Sequence, residues 1–144
     1  MATLTVTISE SVTLNDKARG SENTLTITSI SQVSERIATI GTAELSLIKF
    51  GSANDAGQFR DDKVEYLRLT NLSAANTVTL RVLGTSEEYF VKLEAGGSYI
   101  LTNNKMDANA AGSQSVSLAN IEEIKAVASA SPTDVEIFVA QNNT

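Results

Sequence analysis

The segment that decides the fold lies near the start of the chain and reads Thr3-Leu4-Thr5-Val6-Thr7-Ile8. Apolar side chains alternate there with threonines, so the hydrophobic period is two. This period is typical of a half-buried β-strand, whose successive side chains point to opposite faces. Residues 24–28 repeat the pattern, with two apolar residues among three threonines. Both segments therefore predict strands, and residues with turn chemistry lie between them at 14–16 and 20–23.

The alternation continues along the rest of the chain. It predicts further strands at 33–40, 44–50, 64–70, 77–83, 89–93, 98–102, 124–128 and 135–140. Two longer polar segments, 51–62 and 103–115, are predicted to be loops. A short helical turn is predicted near 117–123, where apolar residues have helical spacing. No repeat or linker divides the chain. The sequence therefore predicts an all-β protein: one antiparallel, jelly-roll-like β-sandwich over 1–144, with about nine or ten strands.

Composition supports a folded, strand-rich domain. Of the 144 residues, 42% are hydrophobic and 19% are charged, a balance that favours a packed core over disorder. The 16 threonines favour strands, because a branched Cβ fits a pleated surface. The net charge of −6 comes from 11 basic and 17 acidic residues. This balance argues against binding to nucleic acid or to an anionic membrane, so we expect protein partners.

The inventory of reactive side chains argues against catalysis. The chain has no His and no Cys, which excludes catalytic triads and zinc sites built from those residues. The adjacent carboxylates of Glu87-Glu88 and Glu122-Glu123 cannot form a facing pair on one strand. Asp55, Asp61 and Asp62 lack the spacing of a calcium loop. We therefore expect no enzyme, no cofactor, and no catalytic, cofactor-binding or metal site.

Several residues are candidates for an interface. A well-formed terminal strand must pair with its own sheet or with a neighbouring subunit, which points to Leu4, Val6 and Ile8. In the first loop, Phe59 beside Arg60 predicts either an interface anchor or an aromatic ring that folds back over the sandwich.

The second loop adds Met106 as a further interface candidate. Most aromatic residues, by contrast, lie within the strand patterns, so we expect them to pack in the core. They are Tyr66, Tyr89, Phe90, Tyr99 and Phe138.

Several stretches resemble small β-sandwich virion proteins of tailed phages, especially those of cyanophages. The run 64–73, Val-Glu-Tyr-Leu-Arg-Leu-Thr-Asn-Leu-Ser, resembles a strand and turn of those proteins. Residues 89–101 are similar to a hairpin in the same proteins, and residues 5–15 and 120–124 also resemble phage structural proteins.

The resemblance implies a capsid decoration (cement) protein that stabilises the head by bridging coat subunits. Its partners would be the major capsid protein or other virion proteins, and further copies of itself, with a trimer as one arrangement. Its location would be the virion, assembled in the host cytoplasm. Two alternatives stay open: a tail, neck or fibre-associated structural protein, and a carbohydrate-binding β-sandwich module. The absence of Trp counts against the second.

Overall fold

A computed structural model of the chain describes residues 1–53, 57–106 and 118–142, with Met106 described by its backbone alone. The described residues form fourteen strands and no helix. The strands are β1 (Ala2–Ser9), β2 (Val12–Leu14), β3 (Lys17–Arg19), β4 (Glu22–Ile30), β5 (Gln32–Ile40), β6 (Leu45–Gly51), β7 (Gln58–Arg60), β8 (Val64–Asn71), β9 (Val78–Gly84), β10 (Glu88–Leu93), β11 (Ser98–Leu101), β12 (Lys105–Met106), β13 (Ala119–Ala128) and β14 (Thr133–Gln141).

Eight of these strands form two facing sheets with nested pairing. One sheet has the order β11-β8-β14-β5, and the other contains the order β10-β9-β13-β6, extended by β7 beside β6. The first of the eight strands, β5, pairs with the last, β14, and the pairs β6 with β13, β8 with β11 and β9 with β10 nest inside it. All four pairs are antiparallel. This is a long hairpin rolled into a sandwich, the topology of a jelly roll. The predicted all-β sandwich is confirmed.

The core lies between the two sheets and is supplied by the alternating inward positions of both. On β8, Leu67 and Leu69 point inward while Arg68 and Thr70 point outward. Leu80 on β9 and Ile137 on β14 are fully buried and belong to the same cluster. This alternation is the sequence pattern that predicted the fold.

A buried amide closes one end of the sandwich. Asn71 is fully buried, and its Nδ2 donates to the carbonyl oxygens of Asn76 (2.8 Å) and Glu94 (3.1 Å). Its Oδ1 accepts a hydrogen bond from the backbone N–H of Ser73 at 3.0 Å. The side chain therefore fixes two connections at once, the one after β8 and the one after β10.

The predicted helical turn near 117–123 is wrong for the residues that the structure describes, because Ala119–Ala128 is a strand. The register of β13 against β9 shifts between Ile121 and Glu123. As a result Ile121 and Ile124 are both fully buried, three residues apart. A bulge in a strand thus imitates helical spacing.

Three smaller expectations also change. Residues 22–23, within the predicted turn at 20–23, belong to strand β4. The two predicted loops each contain a short strand, β7 and β12. Phe90 was expected in the core, but it is 61% exposed, because β10 directs it to the outer face of its sheet.

Candidate assembly surface

Residues 1–30 form a hairpin that projects from the sandwich, here called the arm. Leu4 lies opposite Ile27, and Leu14 lies opposite Lys17, so the pairing register is constant from Leu4 to the tip, after a shift between Ala2 and Leu4 at the base. The turn at the tip consists of Asn15 and Asp16, which have φ angles of 52° and 59°. A two-residue turn with two positive φ angles matches the twist of a hairpin and favours such residues.

The constant register gives the arm two chemically different faces. One face carries threonines and serine, and the Oγ1 atoms of Thr7 and Thr24 lie 3.4 Å apart on it. The other face carries nearly all the large apolar side chains of the arm. In order from base to tip they are Leu4, Ile27, Val6, Leu25, Ile8, Val12 and Leu14.

The base of the arm lies on the outer face of the β11-β8-β14-β5 sheet. Leu4, Val6 and Ile27 pack there against a small cluster that contains Tyr66 and Ala140. The Tyr66 ring also meets the edge of Phe138, with ring centroids 6.0 Å apart and an interplanar angle of 72°. Burial under the arm raises the pKa of the Tyr66 phenol. The base is thus a second, smaller core.

Two clefts follow the arm across this sheet. The larger, about 350 Å³, lies between Leu4–Ile8 of the arm and side chains that include Phe138 of β14 and Arg68 of β8. The smaller, about 170 Å³, is lined by Ile8 and Leu25 of the arm and by Thr102, directly after β11, while Ile100 of β11 lines both clefts. The arm therefore crosses the sheet from β14 toward β11, which forms one edge.

Beyond the clefts, the described part of the chain places nothing over the arm. Every residue from 7 to 26 is exposed, and Val12 and Leu14 are each 56% exposed. Of the residues that the structure describes, only arm residues line the concavity near the tip, among them Glu10 and Arg19. A two-stranded ribbon with one apolar face is only marginally stable by itself in water. The tip is therefore the described surface that most needs a partner.

The same sheet carries a second apolar surface at its other edge. Strand β5 pairs along its full length with β14, and no other strand among the described residues pairs with its second side. Its outward side chains include Val33 and Ile37, which are 51% and 62% exposed. Glu35 lies between them on the same face.

The outer face of the other sheet carries a line of ion pairs. Arg81 pairs with Glu88 (2.5 Å) and Glu44 (3.3 Å), and Lys125 pairs with Glu44 (3.4 Å) and Glu123 (3.7 Å). Burial alone would raise the pKa of the Glu44 carboxyl, but the hydrogen bonds from Arg81 and Lys125 outweigh it and lower the pKa. The exposed ring of Phe90 lies beside these ion pairs, with its centroid 6.0 Å from the Arg81 guanidinium carbon.

The structure separates the interface candidates that the sequence had grouped. Leu4 and Val6 are half-buried on the chain's own sheet, and Ile8 is exposed farther along the arm. Phe59 is half-buried and packs against the main core, so its ring folds back over the sandwich.

The other two candidates do not join the arm. Arg60 forms a two-point ion pair with Asp62, with Nε and Nη2 each donating at 3.0 Å. Met106 lies in β12, and its side chain is outside the described part of the structure.

The residues that sequence reasoning missed are the tip residues Val12 and Leu14 and the β5 residues Val33 and Ile37. A signal for the tip existed, because apolar residues recur at even positions up to Leu14 and a two-residue turn follows at once. The exposure of the β5 pair had no such signal, since it depends on where the arm folds back.

Comparisons with family models, with curated proteins and with solved structures find no match for this chain. Across 1–53, 57–106 and 118–142, no group of three or more acidic, His or Cys side chains is placed to hold a metal ion. Within the same ranges, no helix has the length and apolar character needed to cross a membrane.

Proposed function

We propose that this protein is a structural component of a phage virion, a capsid decoration protein that stabilises the head by bridging neighbouring subunits. The observation that carries the proposal is the arm. It combines an ordered backbone, an apolar face and twenty consecutive exposed residues, 7–26. A surface of this kind is suited to holding another protein.

The architecture supports the same function. Jelly rolls occur in viral capsid proteins, and also in lectins and cupins. A shared fold does not establish a shared function, so the fold adds weight only beside the arm. Cupin chemistry relies on metal-binding side chains, and the chain has no His to supply them.

The mechanism would be mechanical. The sandwich has a continuous core, and the arm extends past one edge of a sheet. A rigid body that contacts several neighbours gains strength from multivalency, since each contact holds the others at high effective concentration. Bridging contacts of this kind oppose outward pressure on a shell.

Purified phage particles provide the test. Particles of the phage that encodes the chain are examined by mass spectrometry, and undecorated heads are mixed with the purified protein and imaged by cryo-electron microscopy. We expect the chain in the particles, and ordered density at fixed stoichiometry on the head lattice. Ordered density on the tail or neck would move the assignment to the tail, and absence of the chain from particles would refute a virion role.

One observation favours a second candidate, a carbohydrate-binding module. Phe90 presents an exposed ring on a flat sheet face beside Arg81, and sugar rings stack on such aromatic faces. A glycan array separates the two functions. Binding to a glycan that is lost in Phe90→Ala would support the module, and an array without hits would exclude it.

A further inference from the structure

The arm reaches past the edge formed by β11, and the exposed apolar residues of the same sheet lie at the opposite edge, on β5. The cleft linings indicate this direction. Leu4 and Phe138 of β14 line the larger cleft only, whereas Leu25 and Thr102, directly after β11, line the smaller cleft only. Ile8 and Ile100 line both clefts. The tip thus points away from its own β5. If it covers a β5 surface, that surface belongs to another molecule.

The surfaces at the two edges match in apolar character. The tip offers Val12 and Leu14 on one face, and β5 offers Val33 and Ile37 on one face, each of the four at least half exposed. Both surfaces are also extensions of a contact that already exists within the chain. The apolar face of the arm packs at its base on the outer face of this sheet, around Tyr66.

The charges match as well. Lys17 and Arg19 lie opposite Leu14 and Val12, so they share the apolar face of the tip. Among the residues that the structure describes, neither forms an ion pair, and Glu35 forms none either. Glu35 lies between the two exposed apolar residues of β5. The tip thus offers an apolar pair beside basic residues, and β5 offers an apolar pair beside an acidic residue, so the two surfaces are complementary.

We propose that the tip of one copy, residues 10–21, docks through Val12 and Leu14 on Val33 and Ile37 of a second copy, with Lys17 or Arg19 near Glu35. The donor and acceptor surfaces differ, so the contact is head-to-tail and generates a ring when its rotation closes. This inference deepens the proposed structural function, because it names the partner of the arm.

The absence of cysteine makes a disulfide test clean. Two single-cysteine variants, Leu14→Cys and Ile37→Cys, are mixed under mild oxidation, and the cross-linked dimers are separated by mass. The matched control replaces Ile37→Cys with Phe90→Cys, because the two sites are 62% and 61% exposed but lie on different sheets. We expect the Leu14–Ile37 cross-link to form at least about tenfold faster than the Leu14–Phe90 one, since docking raises the effective concentration of the thiols.

A second measurement covers the possibility that cysteine disturbs the contact. In a short-arm variant, residues 10–21 are replaced by Asn-Gly, which joins the paired residues Ser9 and Glu22 by a two-residue turn and keeps the base. Size-exclusion chromatography with multi-angle light scattering should show oligomers for the wild type and monomers for this variant.

Three outcomes would overturn the inference: equal cross-linking to both sites, faster cross-linking to Phe90→Cys, or a wild type that stays monomeric. None of them bears on whether the chain occurs in virions. Conversely, an arm-dependent oligomer that is absent from particles would leave this inference in place and refute the proposed function.

Discussion

Asn71 shows how one side chain can hold two distant connections. Replacing it with Ala leaves the carbonyls of Asn76 and Glu94 and the N–H of Ser73 without their partner in a buried site. We expect Asn71→Ala to lower the free energy of unfolding by about 3 kcal/mol, the scale of stranded buried polar groups. Urea unfolding monitored by circular dichroism measures it.

The control for this variant is Asn23→Ala. Asn23 is exposed on the arm and donates one long hydrogen bond of 3.4 Å to Ser21. We expect a change within about 0.5 kcal/mol, as for most surface substitutions. Equal losses in the two variants would mean that the Asn71 network contributes no more than an exposed amide.

At the scale of single residues, the sequence predicted those roles that depend on local pattern. The inward positions of β8 follow from alternation, and the turn at Asn15 and Asp16 follows from the turn chemistry of residues 14–16. The roles of Phe59 and Phe90 did not follow. Both lie in strands, but the face that each ring occupies depends on tertiary packing, which the hydrophobic period of the sequence does not indicate.

At the scale of elements, the arm depends on a glycine. A Cβ atom on Gly20 would lie 1.8 Å from the carbonyl oxygen of Glu10, across the ribbon. We expect Gly20→Ala to open the pairing of residues 10–21. Amide hydrogen exchange should become faster there, while the unfolding free energy of the sandwich changes by less than about 0.5 kcal/mol, because residues 10–21 are exposed and none of them packs in the core clusters of the described residues.

Thr13→Ala, an exposed change in the same tip, serves as the control and should leave exchange as it is in the wild type. Protection of residues 10–21 that survives in Gly20→Ala would show that the ribbon accommodates the methyl group by a shift in its pairing.

The tip turn allows the opposite change. Asp16 has a φ of 59°, a conformation that glycine adopts without the steric cost of a Cβ. We expect Asp16→Gly to slow amide exchange in β2 and β3, by roughly 0.5–1 kcal/mol of local stability. Asp16→Ala removes the same carboxylate without relieving the backbone, so it should not slow exchange, and a similar slowing in both variants would assign the effect to charge.

The sequence predicted that the strands are present, but it did not predict the bulge in β13 or the direction of the arm. The strong alternation of β1, β8 and β14 predicted those strands closely, because a strand with one buried face alternates apolar and polar residues in its sequence. The bulge in β13 produced a false helical signal, since the register shift places Ile121 and Ile124 on the same side. The direction of the arm depends on contacts across the sheet and left no pattern in the sequence.

For the whole molecule, the pH dependence of the unfolding free energy follows from the titratable side chains that the chain contains. With no His and no Cys, we expect the free energy of unfolding to change little between about pH 6 and pH 9. The pKa of Glu44 is lowered in the fold, so its contribution is present above the unfolded value of 4.5 and is lost as the pH falls through the folded pKa. Denaturation at a series of pH values measures the curve, and a peak of stability inside the flat range would contradict it.

At alkaline pH, two tyrosine phenols contribute to the pH dependence of the unfolding free energy. Burial raises the pKa of Tyr99, as does its hydrogen bond with Tyr89, and burial raises that of Tyr66, so both stay neutral in the fold above the ordinary value of 10.0. Their contribution is present below pH 10.0 and is lost as the pH rises through the folded values. Tyr99→Phe should therefore reduce the loss above pH 10, by less than about 1.4 kcal/mol per pH unit because the group is partly exposed. A slope identical to that of the wild type would contradict this.

The pairing of the first sandwich strand with the last has a consequence for engineering. The N–H of Ser31 donates to the carbonyl of Gln141 at 3.1 Å, so the two places where the chain enters and leaves the jelly roll are immediate neighbours. A unit whose attachment points touch can be spliced into a surface loop of a carrier protein without forcing that loop apart. Residues 31–142 are therefore suited to serve as a graft that a carrier displays on two adjacent stems.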